Sequence, residues 1–205
     1  MKKLFKIITV LVLSLGIAGC GSKINQPEGP IATIVVKDYG TMTFQLFDDV
    51  PNTVKNFVSL ANQGLTFHRL VKDFMIQGGD PEGTGMGGPG YSIKGEFNKN
   101  KVLNTHKHLK GAIAMARSSD NDSAGSQFYI VFNEQACKSL EGNYAVFGQL
   151  LSGENVLDKL NKAPLMPADP TTGKTSEQPE PQIIIESITV DTKGVEYGDP
   201  EKIVK

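Results

Sequence analysis

The chain is 205 residues long, 39% hydrophobic and 21% charged, with 21 basic against 22 acidic side chains and a formal net charge of -1. No cluster of Lys and Arg is present to displace counterions, which excludes nucleic acid as a partner. Of the two cysteines, Cys20 and Cys137, the first belongs to a processing motif, so no internal disulfide is available and a hydrophobic core must hold the fold.

The first element is a targeting segment. Met1-Lys2-Lys3 and Lys6 give a positive start, and Ile7 to Leu15 give a short apolar run. Ile17-Ala18-Gly19-Cys20 follows in the pattern of a bacterial lipobox, in which Cys20 takes a diacylglycerol and becomes the mature N-terminus. An ordinary secretory signal and an uncleaved anchor are the alternatives. The apolar run falls short of the ~20 residues that span a bilayer, which argues against the anchor. Residues 1–19 are therefore expected to be a lipoprotein signal peptide, and residues 20–30 the lipidated Cys20 and a flexible tether. That tether reaches roughly 35 Å when extended and holds the protein on the extracytoplasmic face of a bacterial membrane. Cleavage before Cys20 removes Lys2, Lys3 and Lys6 and no acid, taking the formal charge from -1 to -4.

The body reads as mainly β. Ile31 to Val36 is a β-branched run, followed by the turn Lys37-Asp38-Tyr39-Gly40. Met42, Phe44 and Leu46 alternate with Thr41, Thr43 and Gln45, the period of a half-buried strand. From Pro51 to Asn62 the period changes: Val54, Phe57, Val58 and Ala61 share one helical face, entered through Asp48 and Asp49 and closed by Gly64. Thr66 to Leu70 and Phe74 to Gln77 read as strands, and Gly83 to Gly90 as a turn-rich loop. That loop lacks the Gly-Lys-Ser/Thr ending of a phosphate loop. Gly111 to Met115, Gln127 to Val131 and Tyr144 to Gln149 are further strands. Glu154 to Leu160 is a second helix with Val156, Leu157 and Leu160 on one side. Pro164 to Pro181 reads as a surface loop, Ile183 to Val190 as the closing strand, and residues 191–205 as a loose C-terminal tail. Many short strands with two helices suggest a closed antiparallel barrel, which leaves no sheet edge unpaired.

Two segments carry the chemistry. Phe67-His68-Arg69-Leu70-Val71-Lys72-Asp73-Phe74-Met75-Ile76-Gln77-Gly78-Gly79-Asp80 sets one permanent cation close to a Phe-Met pair and to a Gln followed by two glycines. Gly125-Ser126-Gln127-Phe128-Tyr129-Ile130 adds a second amide and a second aromatic. Apolar surface, a fixed cation and amide donors suit a groove that holds a peptide and works on its backbone. No nucleophile–base pair accompanies them, which argues against hydrolysis. In order and spacing these segments resemble the signature of the cyclophilin family of peptidyl-prolyl cis-trans isomerases. The similarity runs over 31–190.

The resemblance implies a closed eight-stranded antiparallel β-barrel with an α-helix covering each of its two ends. It implies no cofactor and proline-containing segments as partners, which the lipobox makes those of exported polypeptides; no metal is expected from the ligands present, and a monomer is the default state. Rotation about an X–Pro bond faces a barrier of roughly 18–20 kcal/mol, set by amide resonance. A cation that hydrogen-bonds the prolyl nitrogen favours the pyramidal transition state over the planar ground state. Arginine suits this, being always charged with donors in a rigid fork. By resemblance Arg69 is that arginine, Phe74 and Met75 line the proline pocket, and Gln77 bonds the substrate backbone or orients Arg69. Ala116, Arg117, Gln127 and Tyr129 match further groove positions, and Leu140 closes the pocket. Tyr129 stands where Phe is common, so its hydroxyl needs a partner if buried. Tyr144 stands where many eukaryotic members carry His, a tolerable exchange because no proton is transferred.

One departure from the family matters. Ser139 occupies the place of a Trp that many members use to bind cyclosporin, so weak cyclosporin sensitivity is expected. Cys137 reads as a small buried hydrophobe. His106 and His108 could share a strand face and hold a metal, although packing roles suit them better because no further ligands support a site. Two other functions stay open at this level: a non-catalytic chaperone or scaffold that binds proline peptides, and a solute-binding lipoprotein.

Overall fold

The computed structural model describes residues 29–61 and 65–204. The targeting segment, Cys20, most of the tether and Gly64 lie outside the described residues. Eight strands form a closed antiparallel barrel: β1 (Ile31–Val36), β2 (Gly40–Leu46), β3 (Leu65–Val71), β4 (Met75–Asp80), β5 (Ala112–Met115), β6 (Phe128–Val131), β7 (Val146–Ser152) and β8 (Ile183–Asp191). Around the barrel they run β1-β2-β7-β5-β6-β4-β3-β8, so β8 returns to pair with both β1 and β3.

Two burial patterns explain the strands. In β1 and β2 burial alternates, as their sequences anticipate. In β5 and β6 every residue is buried, because these strands are covered on both faces. Ile113, Met115, Phe128 and Ile130 point into the barrel interior with Phe44, Phe67 and Phe147. Ala112, Ala114, Tyr129 and Val131 point outward and form a second apolar cluster with Met75, Cys137 and Val146. That outer cluster is the base of the site.

Strand β3 does not keep strict alternation, since Phe67 and Leu70 are both buried although three residues apart. A bulge resolves the conflict: Phe67 pairs with Gly78 and Arg69 with Gln77, leaving His68 as the extra residue. The bulge turns Arg69 out of the barrel wall beside Gln77. Glycine is required at 78, where a Cβ would meet the Thr66 carbonyl and the Phe67 ring at 2.8 Å.

Helices α1 (Pro51–Leu60) and α3 (Glu154–Asn161) lay Val54 and Phe57, and Val156, Leu157 and Leu160, against the interior cluster. The start of α1 departs from expectation. Asp48 accepts from the Tyr197 hydroxyl and Asp49 pairs with His106. The carboxylate at the helix N-terminus is instead that of Glu96, which accepts from Thr53 N at 2.7 Å, Thr53 Oγ1 at 2.6 Å and Asn52 N at 3.3 Å. A third helix, the single turn α2 (Glu134–Cys137), was not anticipated; Asn133 caps it by accepting from Gln135 N.

The tail is not loose. Ser92 and Ile203 exchange backbone hydrogen bonds, the Asn52 side-chain amide donates to the Glu201 carbonyl and accepts from the Glu201 N–H, and Lys202 lies over the Tyr91 ring at 4.9 Å. These contacts join residues about a hundred or more apart in sequence, beyond the reach of local pattern. Among the described residues no helix is long and apolar enough to cross a membrane.

Candidate active site

A groove of about 640 Å³ runs over the outer cluster, and all ten sequence-derived groove residues line it: Arg69, Phe74, Met75, Gln77, Ala116, Arg117, Gln127, Tyr129, Leu140 and Tyr144. Arg69 comes from bulged β3. Phe74 sits in the tight turn that joins β3 to β4, its N–H donating to the Val71 carbonyl. Met75 and Gln77 share the outward face of β4, with Gln77 paired to Tyr129 across the sheet. Leu140 and Tyr144 come from the excursion between β6 and β7.

The polar side is a relay of amides. Arg69 Nη1 donates to Gln77 Oε1 at 3.3 Å, and Gln77 Nε2 donates to Gln127 Oε1 at 2.8 Å. Gln127 Nε2 in turn donates to the carbonyls of Gly85 and Gly87, at 3.1 and 2.9 Å. Each amide therefore fixes the next, and the glycine-rich loop is tied to the cation. Buried Asp80 organises that loop from below, accepting from the backbone of Glu82, Thr84, Gly85 and Gly87. Burial pushes the Asp80 carboxyl up, but these backbone donors together outweigh it and hold it below the usual carboxylate range. Residues 85–90, within the turn-rich loop expected near the groove, form one of its walls together with Tyr91. Asp80 and its role carried no signal beyond their place in the motif.

The apolar side is a pocket of Phe74, Met75, Ala116, Leu140 and two tyrosines. Tyr129 is buried, its ring edge-on to Tyr144 with centroids 5.8 Å apart. Its hydroxyl finds His108 Nε2 at 2.8 Å, the partner that burial requires. Burial holds the Tyr129 phenol well above its ordinary range, so it stays neutral. Burial likewise lowers His108, against the opposing pull of Glu141. The Glu141 carboxylate lies 3.7 Å from Nδ1, too long for a hydrogen bond but close enough to place the neutral ring's proton there, so Nε2 accepts the Tyr129 O–H.

Arg117 lines the groove but turns its guanidinium on the protein itself. Nε and Nη2 donate to the Asn143 carbonyl at 3.1 and 2.8 Å, Nη1 donates to the Ser118 carbonyl at 2.8 Å, and the plane lies over the Tyr144 ring at 4.6 Å. It pins the excursion that carries Leu140 and Tyr144.

His106 stacks on Phe47 and pairs with Asp49, while His108 faces Tyr129, so the two do not converge on a common site. Burial pushes the Cys137 thiol up to about 11, and its S–H donates to the Phe74 carbonyl at 3.5 Å. Burial lowers His68 against the opposing pull of Asp80, with the Arg69 cation beside it adding to the lowering. Among the described residues no hydroxyl or thiol nucleophile of Ser, Thr or Cys is hydrogen-bonded to a histidine. The groove offers a positioned cation, amides and an apolar slot.

The chain is similar to known proteins in sequence and fold. Residues 31–190 match the family described as "Cyclophilin type peptidyl-prolyl cis-trans isomerase/CLD". A peptidyl-prolyl cis-trans isomerase of Synechococcus elongatus is 44% identical over 128 residues, covering 60% of this chain and 82% of that protein. A putative peptidyl-prolyl cis-trans isomerase of Staphylococcus aureus is 34% identical over 198 residues, covering 80% of this chain and 93% of its own length. The crystal structure of a Cryptosporidium parvum cyclophilin-type isomerase, obtained in the presence of the dipeptide Ala-Pro, superposes with a TM-score of 0.65 at 31% identity. It covers 78% of this chain and 98% of that one. With barrel and sequence in agreement over residues 31–190, this chain belongs to the cyclophilin family and is a peptidyl-prolyl cis-trans isomerase acting on proline-containing peptides.

Proposed function

We propose that the protein accelerates X–Pro rotation in exported polypeptides from a lipid anchor on Cys20, with Arg69 hydrogen-bonding the prolyl nitrogen above the apolar pocket. Uncatalysed exchange takes about tens to hundreds of seconds, slow enough to limit folding. The proline ring rests on Phe74, Met75, Tyr129 and Leu140, where an imino ring without an N–H leaves no donor unsatisfied. Gln77 keeps the guanidinium facing that slot. As the bond twists, the nitrogen lone pair leaves resonance and becomes an acceptor, so the Arg69 hydrogen bond is stronger in the transition state than in the ground state. Ala116 and the backbone of Arg117 flank the peptide on the other side.

The observation that carries this reading is the guanidinium of Arg69 held by Gln77 at the edge of the apolar pocket. Its test is NMR exchange spectroscopy on a short Ala-Pro peptide with the full chain in detergent. The expected result is exchange far faster than in free peptide. A peptide that binds without faster exchange would reduce the protein to a proline-peptide binder.

The membrane assignment rests on the lipobox pattern ending at Cys20 and on the run of small residues before it. Cys20→Ala is expected to abolish incorporation of a labelled fatty acid and to move the protein out of the membrane fraction. Unchanged labelling would sink the assignment.

A further inference from the structure

Arg69 has a second partner, outside the groove. Its Nε–H donates to Glu177 Oε2 at 2.6 Å, and the two side chains are 42% and 49% exposed. Glu177 belongs to the ribbon between α3 and β8, none of whose residues lines the groove. Its own carbonyl accepts from Leu70 N, the residue next to Arg69, at 2.6 Å. On either side the ribbon is pinned to itself: Leu165 bridges Pro179, Met166 N donates to the Gln178 carbonyl, and Glu180 N donates to the Pro164 carbonyl. The backbone therefore delivers this carboxylate to β3 at the level of the arginine.

We propose that Glu177 is a positioning residue for Arg69, holding the Nε edge of the guanidinium so that its free N–H groups face the proline nitrogen. This rests on the reading of Arg69 as the residue that hydrogen-bonds that nitrogen. Two contacts on two different nitrogens, Glu177 on Nε and Gln77 on Nη1, define the guanidinium plane, where either alone leaves a rotation free. Of the five N–H donors of an arginine, three then remain, one on Nη1 and two on Nη2. The opposing effect is neutralisation, because a carboxylate at 2.6 Å weakens the field of the cation. For a half-exposed pair solvent screens that loss strongly, and a hydrogen bond at the transition state depends steeply on direction. Orientation wins.

A surface ion pair adds only about 0–1 kcal/mol to stability, so its loss leaves folding intact and exposes its effect on catalysis. The test compares Glu177→Ala and Glu177→Gln with wild type, each also in the Arg69→Ala background. Exchange is measured across a range of Ala-Pro peptide concentrations with the full chain in detergent. Glu177→Ala is expected to lower kcat about three- to fivefold with KM within about twofold, the scale of one misdirected surface interaction. Glu177→Gln, which keeps an acceptor at Nε without the charge, is expected to stay within about twofold of wild type. In the Arg69→Ala background Glu177→Ala is expected to change nothing further, because its effect passes through the arginine. The Arg69 Nε–H resonance gives a readout independent of turnover: slow to exchange with solvent in wild type, fast in Glu177→Ala.

Equal kcat in Glu177→Ala and wild type, with Arg69→Ala inactive, overturns the positioning role and leaves the role of Arg69 standing. A rise in kcat in both Glu177 variants overturns it in favour of charge damping. An Arg69→Ala protein that keeps its activity removes the underlying reading, whatever the resonance shows.

Discussion

Tyr129 illustrates what one side chain demands of its surroundings. A phenol at the floor of an apolar pocket must place its hydroxyl, and here it does so on His108 Nε2, itself fully buried. Tyr129→Phe is expected to leave that nitrogen lone pair unsatisfied and to destabilise the fold by about 1–3 kcal/mol in urea denaturation. The ring that touches substrate is preserved, so exchange catalysis should change little. A variant as stable as wild type would mean that water takes the place of the hydroxyl. The need for a partner was legible from the residue type alone. Which partner it would be was not, because His108 lies 21 residues away and reaches Tyr129 only through the fold. Arg117 teaches the complementary lesson, since a cation that sequence places in the groove is engaged by the Asn143 and Ser118 carbonyls.

At the scale of elements, helix α1 depends on a residue far outside it. Val50 precedes the helix and provides no side-chain cap, and Glu96 supplies the missing acceptor from the loop between β4 and β5. Glu96→Ala is expected to cost about 1–3 kcal/mol, from a lost cap and exposed backbone donors near the Phe57 packing face. Equilibrium denaturation measures it, and a change below about 0.5 kcal/mol would show that the cap is dispensable. Local period announced α1 and α3, the alternating strands and the closing strand. It could not announce the caps, the one-turn α2 or the bulge at His68, which answer to tertiary neighbours rather than to the local run of residues. The tail failed for the same reason: its anchors, Ser92, Asn52 and Asp48, are distant in sequence.

For the molecule as a whole, closing eight strands into a barrel leaves an outer face of β4, β5 and β6 apolar, and the excursions cover it incompletely. The uncovered remainder is the groove. Six of its ten sequence-derived residues were legible from two short runs, 67–80 and 125–130, whose types and spacing carry the family resemblance, and Ala116, Arg117, Leu140 and Tyr144 from two further segments that the resemblance aligns. The amide relay, the Asp80 cradle and Glu177 were not, because each joins a motif residue to a loop whose placement only the closed barrel determines.

The most direct test of the mechanism is the Ala-Pro exchange rate at saturating peptide with Arg69→Ala in place of wild type. Loss of about 100-fold or more with peptide binding kept is the expected result, the scale of removing one electrostatic donor from a transition state. Exchange at the wild-type rate would contradict an arginine-driven reaction and return the catalysis to the pocket alone.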